Sequence, residues 1–138
     1  MTKSEIKNDQ AFDLSEFDGF QQAQDDGTEV TIIHPVSGAP TTMKIWVAGP
    51  DSKRRQSMQR QLADVRLRRR KFKMSGEDLE NEAKAIIAAC VIRWEGFVER
   101  GSEVECTVPN IIGVFNRYPF IFEQVDEVAG DRVSFLKK

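Results

Sequence analysis

A chain of 138 residues, 40% hydrophobic and 30% charged, has the length of one domain and enough apolar side chains for one modest core. No apolar run approaches the roughly 20 residues that span a bilayer, and Met1–Lys7 holds no apolar stretch of the kind a signal peptide needs, so neither feature is expected. The net charge of −2 hides a segregation: Asp51–Lys73 carries ten Lys/Arg and two Asp, against ten and twenty acids elsewhere, and such a block steers partners of opposite sign.

Residues 1–27 read as a flexible acidic arm. Eight of the first ten are polar or charged, and low hydrophobicity with excess negative charge does not offset the entropy of ordering the segment. Phe12, Leu14, Phe17 and Phe20 stand among its acids, the last three at every third position. That spacing lines one side of a short helix formed against a partner. Residues 28–138 read as one globular domain. Thr28–His34 alternates, with Val30 and Ile32 on one face; Pro35–Pro40 holds turn punctuation; Thr41–Val47 returns with Met43, Ile45 and Val47 on one face and Trp46 on the other. The result is a β-hairpin, which needs something to pack against. His34 precedes a proline with no Asp, Ser or Cys beside it, and no chemical role is expected of it.

Gly49-Pro50 breaks the strand pattern, and Asp51 suits the N-cap of a helix running from Ser52 to about Phe72. Its Met58, Leu62, Val65 and Phe72 make a narrow apolar seam among Lys, Arg and Gln. Lys73–Gly76 turns the chain, Ser75 with Asp78 approximates a capping box, and a second helix runs from about Gly76 to Trp94. Leu79, Ala83, Ile86, Ile87, Cys90, Val91 and Trp94 form its broad stripe, and the short loop makes the two helices antiparallel neighbours. Gly96 suits a left-handed C-cap. Phe97–Cys106 reads as a small loop or hairpin. Thr107 caps a third helix with Pro109 in its first turn, ending near Tyr118. Pro119 opens a fourth, with Ile121, Val125, Val128 and Arg132 in its stripe and Phe135 and Leu136 near its end. The expected fold is α+β and mainly α-helical: an N-terminal β-hairpin, then about four helices with a small loop or hairpin between the second and third. Leu62, Ile86, Cys90, Trp94, Phe115 and Val125 are its expected core.

Catalysis has little to start from. One histidine and no glycine-flanked serine leave acyl transfer without a nucleophile and base. The turn Val47-Ala-Gly-Pro-Asp-Ser52 has a single glycine and an anionic residue that repels phosphate. The acids between Glu77 and Glu82 complement a helix dipole. Cys90 and Cys106 lie 16 positions apart with no CxxC; that is too few ligands for zinc, and they read as buried or half-buried thiols in a reducing compartment. No catalytic, cofactor-binding or metal site is expected. The basic helix is the sharper signal. Its arginines suit phosphates, which makes non-specific nucleic-acid binding the rival reading. A pI of about 5.5 and the lack of interleaved aromatic residues favour acidic neighbours or an acidic protein partner instead. Partner contacts are expected at Phe12, Leu14, Phe17 and Phe20, at Arg54, Arg55, Arg66, Arg69 and Arg70, and at Phe120 and Phe122.

The segments also form a recognisable series. A strand pair carrying Pro35-Val-Ser-Gly38 leads into Gly49-Pro-Asp-Ser52 and an Arg-rich helix. An acid-started helix ends in Trp94-Glu-Gly-Phe97. Val108-Pro-Asn110, Arg117-Tyr-Pro119, Ile121-Phe-Glu-Gln-Val125 and Asp131-Arg-Val-Ser-Phe-Leu136 follow. In that order and spacing, residues 28–136 resemble the tail assembly chaperones of long-tailed bacteriophages. The resemblance implies a protein that is not an enzyme and works in the bacterial host cytoplasm during phage assembly. It would coat the long, aggregation-prone tape measure protein, help recruit tail-tube protein, and leave before the virion is complete. It also implies a homo-oligomer and no membrane partner. Several family members have a frameshifted longer product, which a run of adenines in the codons of Lys137-Lys138 would permit here. The arm and the apolar phrase Phe120-Ile-Phe-Glu123 depart from the family pattern. The alternatives are a structural virion protein of the tail or connector, and a small basic-helix nucleic-acid-binding protein.

Overall fold

The computed structural model describes residues 11–136; the first ten residues of the acidic arm and Lys137-Lys138 lie outside them. The fold is α+β. Thr28–Ile33 (β1) and Pro40–Val47 (β2) pair antiparallel as the expected hairpin, with Val30 opposite Ile45 and Thr28 opposite Val47. Val30, Ile32, Ile45 and Val47 are buried on the inner face, as the alternation predicts. In the connecting turn, His34 Nδ1 accepts the N–H groups of Val36 and Ser37, each at 3.2 Å. The histidine is a turn residue.

The two central helices are Lys53–Arg69 (α2) and Gly76–Cys90 (α3). Ser75 and Asp78 form the predicted capping box, each side chain bonded to the other's backbone N–H. The helix does not reach Trp94. It stops at Cys90, and Val91–Glu95 is a strand (β3) that completes a sheet of order β1-β2-β3. The misreading has a geometric cause. Val47 pairs with Val91 but Trp46 pairs with Arg93, so Ile92 is an extra residue in the ladder. Such a bulge puts residues three apart on one face: Val91 and Trp94 both point inward, a spacing that in sequence continues a helical stripe. Gly96 consequently ends a strand and does not cap a helix. Its φ of +76° is left-handed, and a Cβ there would lie 2.6 Å from the Thr42 carbonyl carbon.

The described part of the arm also departs from a flexible segment. Leu14–Phe17 is a 3-10 turn leading into Asp18–Asp26 (α1). Ala23 and Gln24 are buried in it. The Gln24 carbonyl accepts the Gly49 N–H at 2.9 Å and its Oε1 accepts the Asp51 N–H at 2.7 Å. Composition counts apolar surface; here the tie is a satisfied buried amide, which composition does not register.

Val98–Glu99 (β4) and Ser102–Glu103 (β5) make the small hairpin between α3 and the next helix. Arg100 and Gly101 at its tip both have positive φ, the requirement of a tight two-residue turn. Val108–Arg117 (α4) is capped by Thr107 with Pro109 in its first turn, and Pro119–Ala129 (α5) follows at once. The stripe expected to run on through Arg132 breaks at Gly130, and Arg132–Phe135 is a separate 3-10 turn with Phe135 buried.

The core lies between the inner face of the sheet, the end of α3, and α4 and α5. Cys90, Trp94, Phe115 and Val125 are buried in it, as expected. Trp94 stacks on Phe97 with ring centroids 4.1 Å apart, and its Nε1–H donates to the Val104 carbonyl at 2.8 Å. Leu62 and Ile86, also expected there, are only half-buried. At the free edge of β1, the Gln124 side chain donates to the Ile33 carbonyl at 2.9 Å and accepts the Ile33 N–H at 2.8 Å.

Candidate docking surfaces

The α2–α3 hairpin is where the chain departs from the economy of a packed core. Helix α2 is 17 residues long and buries none of them; α3 buries residues only in its last turn, at Ile87, Ala88 and Cys90. The seam of Met58, Leu62 and Val65 is half-covered, mainly by α3, with no second layer beyond. The hairpin therefore stands off the body from a fixed base.

Asp51 organises that base. Arg132 grips both its carboxylate oxygens, Nε donating at 2.7 Å and Nη2 at 2.9 Å. Gln24 Nε2–H donates to it at 3.2 Å, and Gln21 and Gln56 donate to its backbone carbonyl at 2.7 and 2.9 Å. The Arg132 hydrogen bond holds its pKa below the ordinary aspartate value. The N-cap role expected of Asp51 falls instead to Ser52, whose hydroxyl accepts the Arg55 N–H at 3.3 Å. Next to it, Lys53 N–H donates to Asp25 at 2.8 Å. Helix α1, the start of α2 and the C-terminal turn thus meet on one carboxylate.

The far end of the hairpin has a different chemistry. Leu67, Phe72 and Leu79 are 57% to 74% exposed, and Arg68, Arg69, Arg70 and Lys73 are exposed beside them. Arg66 pairs with Glu82, and Lys71 pairs with Asp78 at 3.1 Å, so two of the six cations between Arg66 and Lys73 are spent inside the hairpin. The Ser75 N–H, then Lys71, keep the Asp78 pKa low. Arg70 closes α2 with a left-handed φ of +52°, its N–H shared between the Arg66 and Leu67 carbonyls. A groove of about 190 Å³ runs between the helices below, lined by Leu62, Val65, Met74 and the paired charges.

A second exposed apolar cluster lies before α1. Phe12, Leu14 and Phe17 are 52% to 77% exposed, with the Phe12 and Phe17 rings 4.9 Å apart. A 3-10 turn has three residues per turn, so Leu14 and Phe17 eclipse one another along one side. Asp13, Glu16 and Asp18 surround them, and Asp13 caps the turn by accepting the Ser15 N–H at 2.9 Å; that bond lowers its pKa.

Other expected contact residues are placed elsewhere. Phe20 is half-buried. Phe122 packs edge-on to Phe115 at 5.3 Å, and Phe120 lies against the core and 6.2 Å from Tyr118; these two flank the core and do not open a separate surface. Arg54 reaches the Ala89 carbonyl at 3.5 Å. Arg55 is half-buried near Ser52 and Cys90, with its Nη1 buried and unpartnered. The basic helix is thus divided between a structural base and an open tip. Leu67, outside the seam read from the sequence, belongs to the tip; its place beside Arg68–Arg70 is the only signal that pointed there.

Both thiols are free, Cys90 buried and Cys106 half-buried, and burial pushes both pKa values up. An open cleft of about 340 Å³ beside the Trp94–Phe97 stack is lined by Glu95, Glu103, Glu105 and Cys106. Among the described residues there is no cluster of three or more His, Cys, Asp or Glu able to hold a metal ion, and no helix long and apolar enough to cross a membrane. No protein-family model matches the chain, no curated protein matches it, and no solved structure matches it.

Proposed function

We propose that the chain is a tail assembly chaperone of a long-tailed bacteriophage, acting in the host cytoplasm without catalysis. It binds the tape measure protein, keeps it from aggregating, and brings tail-tube subunits to it. The observation that carries this reading is the α2–α3 hairpin, whose tip presents Leu67 of α2, Phe72 of the loop and Leu79 of α3 beside the exposed Arg68, Arg69 and Arg70. Such a surface suits reversible cover of an amphipathic client helix with acidic flanks. The order of segments shared with the tail assembly chaperones supplies the identity of the client. Co-expression with the tape measure protein tests the proposal: the client becomes soluble and co-elutes with the chain, and Leu67→Ser/Phe72→Ser/Leu79→Ser abolishes the complex while keeping the wild-type melting temperature. A client that stays insoluble, with no complex eluting, overturns it.

The exposed cations from Arg68 to Lys73 favour a second reading, non-specific nucleic-acid binding. Fluorescence anisotropy with single-stranded and duplex DNA at low salt decides it, since a basic-tip binder gives a signal that falls steeply with salt.

A further inference from the structure

The groove below the tip has the dimensions of a site for one side chain. Leu62, Val65 and Met74 line it, each half-buried, around a volume of about 190 Å³. An apolar cavity of about 150 Å³ is enough to hold a benzene ring. Leu62, Val65, Arg66 and Arg69 follow one another at helical spacing and form the α2 wall, while Asp78, Asn81 and Glu82 form the α3 wall. From Leu62 to Arg69 the α2 wall is two turns long, roughly 10 Å.

The rim is charged, and unevenly. Two ion pairs link the walls: Arg66 of α2 with Glu82 of α3, and Lys71 of the loop with Asp78 of α3. Arg69 stands on the same rim and, among the described residues, has no carboxylate within ion-pair distance. Residues 66–84 carry seven cations and four carboxylates. Two antiparallel helices with a half-covered seam bury it fully when a third helix lays its own apolar ridge between them. The excess of cations selects a helix that carries carboxylates. A second copy of this hairpin brings the same excess and is repelled.

We propose that the groove is the specificity pocket of the hairpin. It takes one large apolar side chain (leucine, methionine or phenylalanine) from an acidic amphipathic helix of a partner protein, and Arg69 pairs with a carboxylate one turn away on that helix. The pattern recognised is therefore an apolar residue with Glu or Asp three or four positions from it. The inference rests on the reading of the hairpin as the client-binding surface and adds what that surface selects. Leu67, Phe72 and Leu79 give apolar cover to any such helix; the groove and Arg69 choose among them. Because the charged contact lies at an open rim, it weakens as salt rises.

Fluorescence anisotropy of the full chain with a labelled helical peptide tests this. The peptide carries leucine, phenylalanine and leucine on successive turns of one face, each flanked by glutamate. Saturable binding is expected, weaker by about tenfold or more when the central phenylalanine is replaced by alanine. Val65→Trp fills the groove from its own wall and is expected to lose affinity by a similar factor with unchanged helical circular dichroism. Arg69→Glu, at an exposed position, is expected to lose the glutamate peptide and to gain the same peptide made with lysine in place of glutamate. No binding to the wild-type chain overturns the proposal. So does a Val65→Trp chain that binds as well as wild type, indifference to the central phenylalanine, or an Arg69→Glu chain with unchanged preference. The peptide titration does not involve the client, so any of these failures leaves the client reading to its own co-expression test.

Discussion

Gly96 and Gly38 allow the closure of the sheet to be weighed by a pair of identical substitutions. Both are left-handed, with φ of +76° and +73°, but an added Cβ at Gly38 meets nothing within 4 Å, whereas at Gly96 it overlaps the Thr42 carbonyl. Alanine at either position adds about 1–2 kcal/mol of left-handed strain, offset by about 0.4–1 kcal/mol from a less free unfolded chain. Gly38→Ala should therefore cost between about 0 and 1.6 kcal/mol. Gly96→Ala must also push β2 away, loosening the Thr42 Oγ1–H···O=C Gly96 bond of 3.2 Å and the adjacent Lys44–Glu95 pair. Overpacking of that kind costs about 1–3 kcal/mol more. For a chain of this length 1 kcal/mol moves the melting temperature by roughly 3–4 °C, so thermal melts should separate the two variants by about 3–12 °C. Equal shifts would show that β2 gives way freely and that the close approach carries no energy.

Other expectations are as direct. Trp94→Ala should lose about 3–5 kcal/mol in chemical denaturation, and Trp94→Phe less, about 1–2 kcal/mol for the unpaired Val104 carbonyl, if the Phe97 stack survives. Arg70→Gly relieves left-handed strain at the end of α2 and should raise stability by up to about 1 kcal/mol, read as a higher melting temperature. Asp51, Asp78 and Glu99 are held below their ordinary pKa values, by Arg132, by Ser75 and Lys71, and by Arg117 in turn. Because the folded values are depressed, their stabilisation is present above the unfolded carboxylate range of about pH 4 and is lost as pH falls through and below it. Asp51→Asn should shrink that acid-side loss in urea midpoints taken at descending pH; an unchanged acid limb would remove Asp51 from the account.

What the sequence made legible was local. Ser75 with Asp78, Thr107 with Pro109, and Pro119 mark helix starts through chemistry confined to one turn, and each stands where it was expected. The misreadings came from partners far along the chain. Asp51 and Ser52 are equally good caps by type; Arg132, 81 positions away, claims the aspartate and leaves the cap to the serine. The bulge at Ile92 exists only because β2 is there to pair with β3. Gln24 is polar in sequence and fully buried in the fold. At the tip, Phe72 belonged to the narrow seam expected of the first helix and Leu79 to the broad stripe expected of the second; whether such a stripe is covered depends on a second layer, which helical period alone does not supply.

Gln124 has a consequence beyond closing the core. An exposed outer strand is a template on which any extended peptide can continue the ladder. By meeting both the N–H and the carbonyl of Ile33, one side-chain amide imitates the next peptide unit and terminates the row. Gln124→Ala would reopen that site to strand addition by whatever extended chain is at hand. The fold thereby guards that end of its outer strand with a side chain from α5.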